Sequence, residues 1–386
     1  MRFSGRSDFD GRQNALTVAL GRRAAAGRAH LDLTVSNPTR ANVPYDRAAL
    51  LEAVASDRAL AYEPASFGLE SARETVARLW QSRGIAVAPS RVVLTASTSE
   101  AYSFLFKVLC DPGDTVLVPT PSYPLFEHLC RFEGVEVAPY LLRYDGAWHV
   151  DFESLARART DRTRAVVVVS PNNPTSSYLK RDELARLAGL GLPIVSDEVF
   201  GEYAIATDPS RARSALEAEG ALVFALDGLS KLAALPQMKL AWITVGGPDE
   251  AANDALARLE LVCDAFLSPA ASVQHALPRL LASSAISRDA IRARLAANHR
   301  ALFSVAANTE LTPLTCEGGW YAVVRLPAVH SEEEWVLGLL EDTDVLVQPG
   351  FFYDFASEPF VVLSLLTEEA PFLTGVRRLA AYVTRG

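Results

Sequence analysis

RAVVVVSPNNPTSSYLKRDELARLAGLGLPIVSDE, residues 164–198, decides the architecture. It opens on an apolar β-branched run at 164–170, turns through Pro171-Asn172-Asn173-Pro174-Thr175, continues as a helical pattern over 181–190 and closes on a second apolar run at 193–196. Strands this uniformly apolar are buried on both faces, and a helix between them is the usual crossover of a parallel sheet. The same alternation extends outward. Further strands are expected at 91–95, 115–119, 135–140, 222–226 and 240–245, with helices over 98–110 and 122–132. From about Pro248 the pattern changes to long Ala/Leu/Arg helices through Asn298 and beyond. A second mixed region follows, with strands at 320–326 and 359–366 and helices at 331–340 and 371–384. The expected fold class is α/β: a large domain with a mostly parallel central sheet flanked by helices, plus a smaller α/β domain built from both chain ends. The expected division is 1–45 for the N-terminal arm and part of the small domain, 46–285 for the large domain and 286–386 for the C-terminal small domain.

Composition narrows the function. The 386 residues are 49% apolar, 22% charged and 9% aromatic, which excludes disorder, collagen and coiled coil. A net charge of −9 repels phosphate backbones and anionic membranes, so no nucleic-acid or membrane partner is expected. No apolar run approaches the ~18 residues of a membrane span, and the start of the chain carries no apolar leader core, which points to the cytoplasm. Cys110, Cys130, Cys263 and Cys316 are scattered without disulfide or metal-ligand spacing, and so are the six histidines, so no metal site is expected. Only four of the 37 basic residues are lysines: Lys107, Lys180, Lys231 and Lys239.

In an open parallel sheet, ligands bind beyond the carboxyl ends of the strands. Four apolar strands here end in chemically pointed residues. The first runs into Ser97-Thr98-Ser99-Glu100 and a helix, where hydroxyls, backbone N–H groups and the positive dipole end suit a phosphate. The plainer reading is an S-x-x-E capping box. The second ends in the turn 171–175. The third delivers Asp197 and Glu198, carboxylates that are costly at a buried edge without a cation or strong donor. The fourth is followed by Asp227-Gly228-Leu229-Ser230-Lys231, in which Lys231 is flanked by Leu and Ser rather than by charges. A desolvated lysine has a lowered pKa and attacks carbonyls, forming Schiff bases; a snorkelling surface lysine is the alternative. Lys239 adds a second cation eight residues on. No P-loop, HExxH, GxSxG or complete GxGxxG motif competes.

Taken in order, the hydroxyl loop, P-S-Y-P, N-N-P, S-D-E-V and S-K resemble the class I/II aminotransferases, pyridoxal-phosphate enzymes of fold type I. The resemblance runs from about Leu31 to the C-terminus. It implies that Lys231 carries the cofactor as an aldimine, that Asp197 faces its pyridine nitrogen, that Asn173 bonds its phenolic oxygen and that Tyr123 stacks on its ring. It further implies a phosphate site of Ser97, Thr98, Ser99 and Lys239, with Ser230 also among the cofactor-binding residues. Tyr62 would reach the cofactor of a neighbouring subunit in a homodimer with shared sites, and Asn37 and Arg40 would lie on the substrate side together with Asn173. The implied activity moves an amino group from an amino acid to a 2-oxo acid by ping-pong chemistry.

Three departures bear on the substrate. Lys239 stands where the family usually has arginine, Phe200 stands where a tyrosine is common, and Val362 takes the place of the arginine that clamps the substrate carboxylate. Arg40, and after it Arg325, are the candidates for a relocated clamp. Trp320, Tyr321, Phe351, Phe352 and Tyr353 point to an apolar or aromatic substrate, or equally to core packing. A lyase or decarboxylase shares every cofactor contact, and a cofactor-binding sensor without turnover keeps the same fold; both stand as rival readings.

Overall fold

The computed structural model describes residues 3–9, 11–357 and 359–385. Its large sheet has eight strands in the order Val92–Thr95, Ala241–Gly246, Val223–Gly228, Ile194–Asp197, Thr163–Val169, Thr115–Thr120, Glu136–Tyr144 and Trp148–Val150. The four central pairings are parallel, while Ala241–Gly246 and Trp148–Val150 run against their neighbours. The apolar run at 164–170 owes its continuity to burial on both faces. Val166, Val168, Ile194 and Val223 pack on one side against Leu184 and Leu187 of the crossover helix Arg181–Ala188. Ala165, Val167, Val195 and Phe224 pack on the other side against Ala101, Phe104 and Leu105 of the helix Thr98–Leu109.

One expected helix is shorter than its sequence pattern. The run 122–132 becomes helical only as Phe126–Glu133. Pro124 disfavours helical geometry at residue 123, and Ser122 is held in a loop, its N–H donating to the Tyr353 carbonyl and its hydroxyl to Asn172 Oδ1.

The chain ends meet in a second core. Leu31–Asp32 pairs in parallel with Val345–Leu346, and a four-stranded antiparallel sheet is centred on Tyr321–Arg325 and Phe360–Ser364. Leu33 lies fully buried among Leu340, Phe372 and Val376. Gly375 lets it in: a Cβ there would stand 2.9 Å from both Leu33 methyl carbons. The helices Ala285–Ala306 and Glu369–Val383 close this core. Among the described residues no helix is long and apolar enough to cross a membrane, and no group of three His, Cys, Asp or Glu side chains could hold a metal. All four cysteines are free, and burial pushes each thiol up to about 12, which makes them inert packing groups.

Candidate active site

Strand direction explains why residues far apart in sequence share one rim. Val92–Thr95, Thr115–Thr120, Thr163–Val169, Ile194–Asp197 and Val223–Gly228 all finish at the same sheet edge, and the antiparallel Ala241–Gly246 begins there. Ser97–Ser99, Tyr123, Asn173, Asp197, Ser230, Lys231 and Lys239 therefore flank one edge, the place where such sheets bind ligands.

Lys231 sits in the short helix Leu229–Leu232, directly behind a close strand approach at Gly228, where a Cβ would come within 2.7 Å of the Ala241 Cβ. The Tyr203 hydroxyl donates to the Lys231 carbonyl at 2.6 Å and fixes the backbone. Its ammonium lies 5.1 Å from the Trp320 ring centroid and 5.7 Å from that of Phe200. Among the described residues it has neither a hydrogen-bond nor an ion-pair partner. Burial lowers its pKa from 10.5, opposed by the Asp197 charge.

Asp197 is buried at the end of its strand. Oδ1 accepts the Val199 N–H at 3.2 Å and Oδ2 accepts the Tyr102 hydroxyl at 3.4 Å. Burial raises its pKa from an ordinary 3.8 to about 6, helped by the Asp227 charge and resisted by the Val199 and Tyr102 hydrogen bonds and by Lys231. Glu198, the other carboxylate of that turn, is a structural anchor. It accepts the hydroxyls of Ser196 and Ser214 and the Ala215 N–H at 2.8–3.0 Å, and burial pushes it up to about 7.

Asn173 is buried, and its Oδ1 has no partner. Ser97 caps the helix Thr98–Leu109, accepting the Glu100 N–H at 3.1 Å, while Glu100 accepts the Ala96 N–H at 2.6 Å. The plain capping reading is thus met, and it leaves the half-exposed Thr98 and Ser99 at the helix N-terminus. Ser230 is half-buried and Lys239 exposed, the latter in a left-handed conformation at φ 50°. Tyr123 is 39% exposed, and burial together with Asp197 raises its hydroxyl pKa.

Other candidates stand apart. Tyr62 is 77% exposed and lines a separate cavity with Asp264, Leu267 and Gln274. Asn37 turns inward on its own loop, accepting the Thr39 N–H and hydroxyl at 3.0 and 2.8 Å. Arg40 is exposed with no side-chain partner among the described residues, Arg325 is exposed at the end of its strand, and Val362 is buried. Ser36, next to Asn37, hydrogen-bonds the Tyr321 hydroxyl.

A family model for class I and II aminotransferases matches residues 29–369. The chain belongs to the class I and II aminotransferases. It is 26% identical over 337 residues to the glutamate-pyruvate aminotransferase AlaA of Haemophilus influenzae, covering 81% of this chain and 83% of that one. It is 24% identical over 368 residues to human tyrosine aminotransferase, covering 91% and 80%. The fold superposes on the alanine aminotransferase of Pyrococcus furiosus with a TM-score of 0.87 at 20% identity over the whole of both chains. This aminotransferase therefore uses pyridoxal phosphate and moves an amino group from an amino acid to a 2-oxo acid. The lyase and sensor readings find no support among these relatives.

The residues of the rim fit that cofactor. The buried Asn173 side chain, whose Nδ2 is a donor, the Lys231 ammonium, unpaired among the described residues, and the hydroxyls at a helix N-terminus meet the needs of its phenolic oxygen, aldehyde and phosphate.

Sequence reasoning missed four groups around this aminotransferase site. Tyr102 donates to Asp197, Tyr203 holds the Lys231 backbone, and Arg83 ion-pairs with Asp227. Asp227 itself was discoverable, because it is the last residue but one of the apolar strand Val223–Gly228, much as Asp197 ends its own.

Proposed function

We propose that Lys231 is the cofactor-linked lysine of this aminotransferase and the group that moves the substrate's α-proton. The observation that carries this is the half-buried Lys231, whose ammonium has no partner among the described residues and lies over the Trp320 and Phe200 rings at the edge where Asp197 and Asn173 stand. Bound there, pyridoxal phosphate supplies a ring that takes up the charge left when that proton departs. Asp197, ionised, holds a proton on the ring nitrogen. Asn173 donates to the phenolic oxygen, Tyr123 covers the ring face, and Ser97, Thr98, Ser99, Ser230 and Lys239 hold the phosphate. A lysine whose pKa is lowered by burial transfers a proton in both directions near neutral pH.

The same reading makes the protein a cytoplasmic homodimer acting on small amino and 2-oxo acids, with the domain divisions near residues 45 and 285. Tyr62 supports the dimer: it stands exposed beside the equally exposed Leu60, and it shares a cavity with the exposed Leu267. Exposed apolar side chains gathered on one surface favour a contact with another chain. On the substrate side, Phe200, Trp320 and Tyr321 form an aromatic cluster with ring centroids 5.3–6.1 Å apart, which favours an apolar or aromatic donor. With Val362 buried and apolar, Arg40 is assigned the substrate carboxylate. Arg40→Ala should raise KM for amino-acid donors with kcat little changed, and an unaltered KM removes that assignment.

Borohydride reduction of the purified holoenzyme followed by peptide mass mapping tests the central claim. The adduct is expected on Lys231. An adduct on any other lysine overturns the reading.

A further inference from the structure

A second set of charges backs the same strand ends from the opposite face of the sheet. Asp197 and Leu226 are register partners on adjacent parallel strands, so Asp227, the next residue, faces away from the side Asp197 occupies. Asp227 is 1% exposed. Its Oδ1 accepts the Gly228 N–H at 2.7 Å, and its Oδ2 accepts both Nη groups of Arg83 at 3.0 Å. Arg83 caps the C-terminus of the helix Glu70–Ser82 and donates its Nε to Glu202 Oε1 at 3.0 Å. Glu202 Oε2 accepts Arg292 Nη2 at 2.7 Å, from the long helix Ala285–Ala306. The charges alternate in sign from the buried strand end outward.

None of these groups is assigned a contact with cofactor or substrate. We propose that the Asp227–Arg83 pair is a positioning pair that sets the protonation of Asp197 from behind the sheet. The inference rests on the placement of Asp197 opposite the ring nitrogen proposed above. Asp227 opposes ionisation of Asp197, and the Arg83 guanidinium hydrogen-bonded to it offsets part of that charge. The remaining groups facing the pair are Glu198, Glu202, Tyr203 and Arg292, and those facing Asp197 are Tyr102, Tyr123 and Lys231. Burial and the Asp227 charge raise the Asp197 pKa to about 6, so a small change in field alters how firmly its carboxylate holds a proton on the ring nitrogen opposite it.

The test titrates the visible absorbance of the purified holoenzyme across the neutral range in Asp227→Asn, Arg83→Met, Arg83→Lys and the double variant Arg83→Met/Asp227→Asn. Asp227→Asn leaves Arg83 uncompensated and should move the transition to lower pH; Arg83→Met leaves Asp227 uncompensated and should move it to higher pH. Each shift is expected to be on the order of half a pH unit. Arg83→Lys should lie close to the starting value, and the double variant between the two single variants. A merely structural role predicts no opposite signs, so single variants that shift the same way, or not at all, overturn the proposal. If Arg83→Met fails to fold, a shift of Asp227→Asn to lower pH beside an unmoved Arg83→Lys still decides it. Asp197→Asn serves as the control and should abolish the opposite shifts produced by the Asp227 and Arg83 changes. Opposite shifts that persist in the Asp197→Asn background overturn the site assignment and this inference with it, whereas unmoved Asp227 and Arg83 variants beside a transition that moves in Asp197→Asn overturn the inference alone.

Discussion

Asp197 and Asp227 end adjacent strands, are both buried and are both pushed up to about 6, chiefly by desolvation. Their surroundings differ. Asp227 is gripped by two Arg83 N–H groups and its neighbouring backbone N–H, whereas Asp197 has one backbone N–H and one long tyrosine bond. A buried carboxylate that already has its cation is part of the structure. One kept in the same desolvated rim without a cation in contact among the described residues is prepared to meet one, the role proposed for Asp197 opposite the cofactor's ring nitrogen.

The comparison predicts unequal costs for chemically identical changes. Asp197→Asn should lower kcat by roughly 100- to 1000-fold, the usual loss when a group that stabilises developing charge is neutralised. Asp227→Asn should cost less than about tenfold at the pH optimum, because it acts only through Asp197. Steady-state kinetics on both variants decide the matter, and equal losses would erase the distinction.

Stability should rank the other way. Arg83→Met strands a buried carboxylate, and breaking such a pair costs about 3–5 kcal/mol. Asp197→Asn removes a poorly compensated charge and should leave the cofactor-free protein as stable as before, or more so. Urea denaturation of the cofactor-free proteins reads both. A destabilised Asp197→Asn beside an unaffected Arg83→Met would reverse the assigned roles.

The sequence made one of these carboxylates legible and hid the other's partner. Strands at 164–170 and 193–196 were readable because apolar runs buried on both faces leave no other option, and the structure forms them as Thr163–Val169 and Ile194–Asp197. Asp197 stood out by the same logic. Asp227 obeys it too, but the cation that explains it lies 144 residues away at a helix end, and no local pattern connects the two. Trp320 and Phe200 likewise reach Lys231 only through tertiary packing. The left-handed turn at Lys239 carries none of the usual glycine or asparagine signal. The fold was therefore legible from periodicity, the rim from strand ends, and the electrostatic support of the rim from neither.

The smallest effect separates the carboxylates by pH. Asp197 and Asp227 are raised from an ordinary 3.8 to about 6, and Glu198 from 4.5 to about 7. A carboxyl raised on folding binds more protons folded than unfolded, so its stabilising contribution is complete below its ordinary value and lost as pH rises through the folded one. Asp208 behaves oppositely, since the Lys180 ammonium at 2.8 Å holds it well below 3.8, so its contribution is lost only in stronger acid. Between about pH 4 and about pH 7 the cofactor-free protein should therefore lose stability as pH rises. Asp197→Asn should flatten that loss by roughly 1–3 kcal/mol across the window. Cofactor binding should flatten it by a similar amount in the native protein, because a cation opposite Asp197 keeps the carboxylate ionised throughout. Melting temperatures with and without cofactor, at closely spaced pH values, measure both. If the variant and the native cofactor-free protein show the same slope, Asp197 is not the titrating group, and the contrast between the two strand ends fails at its base.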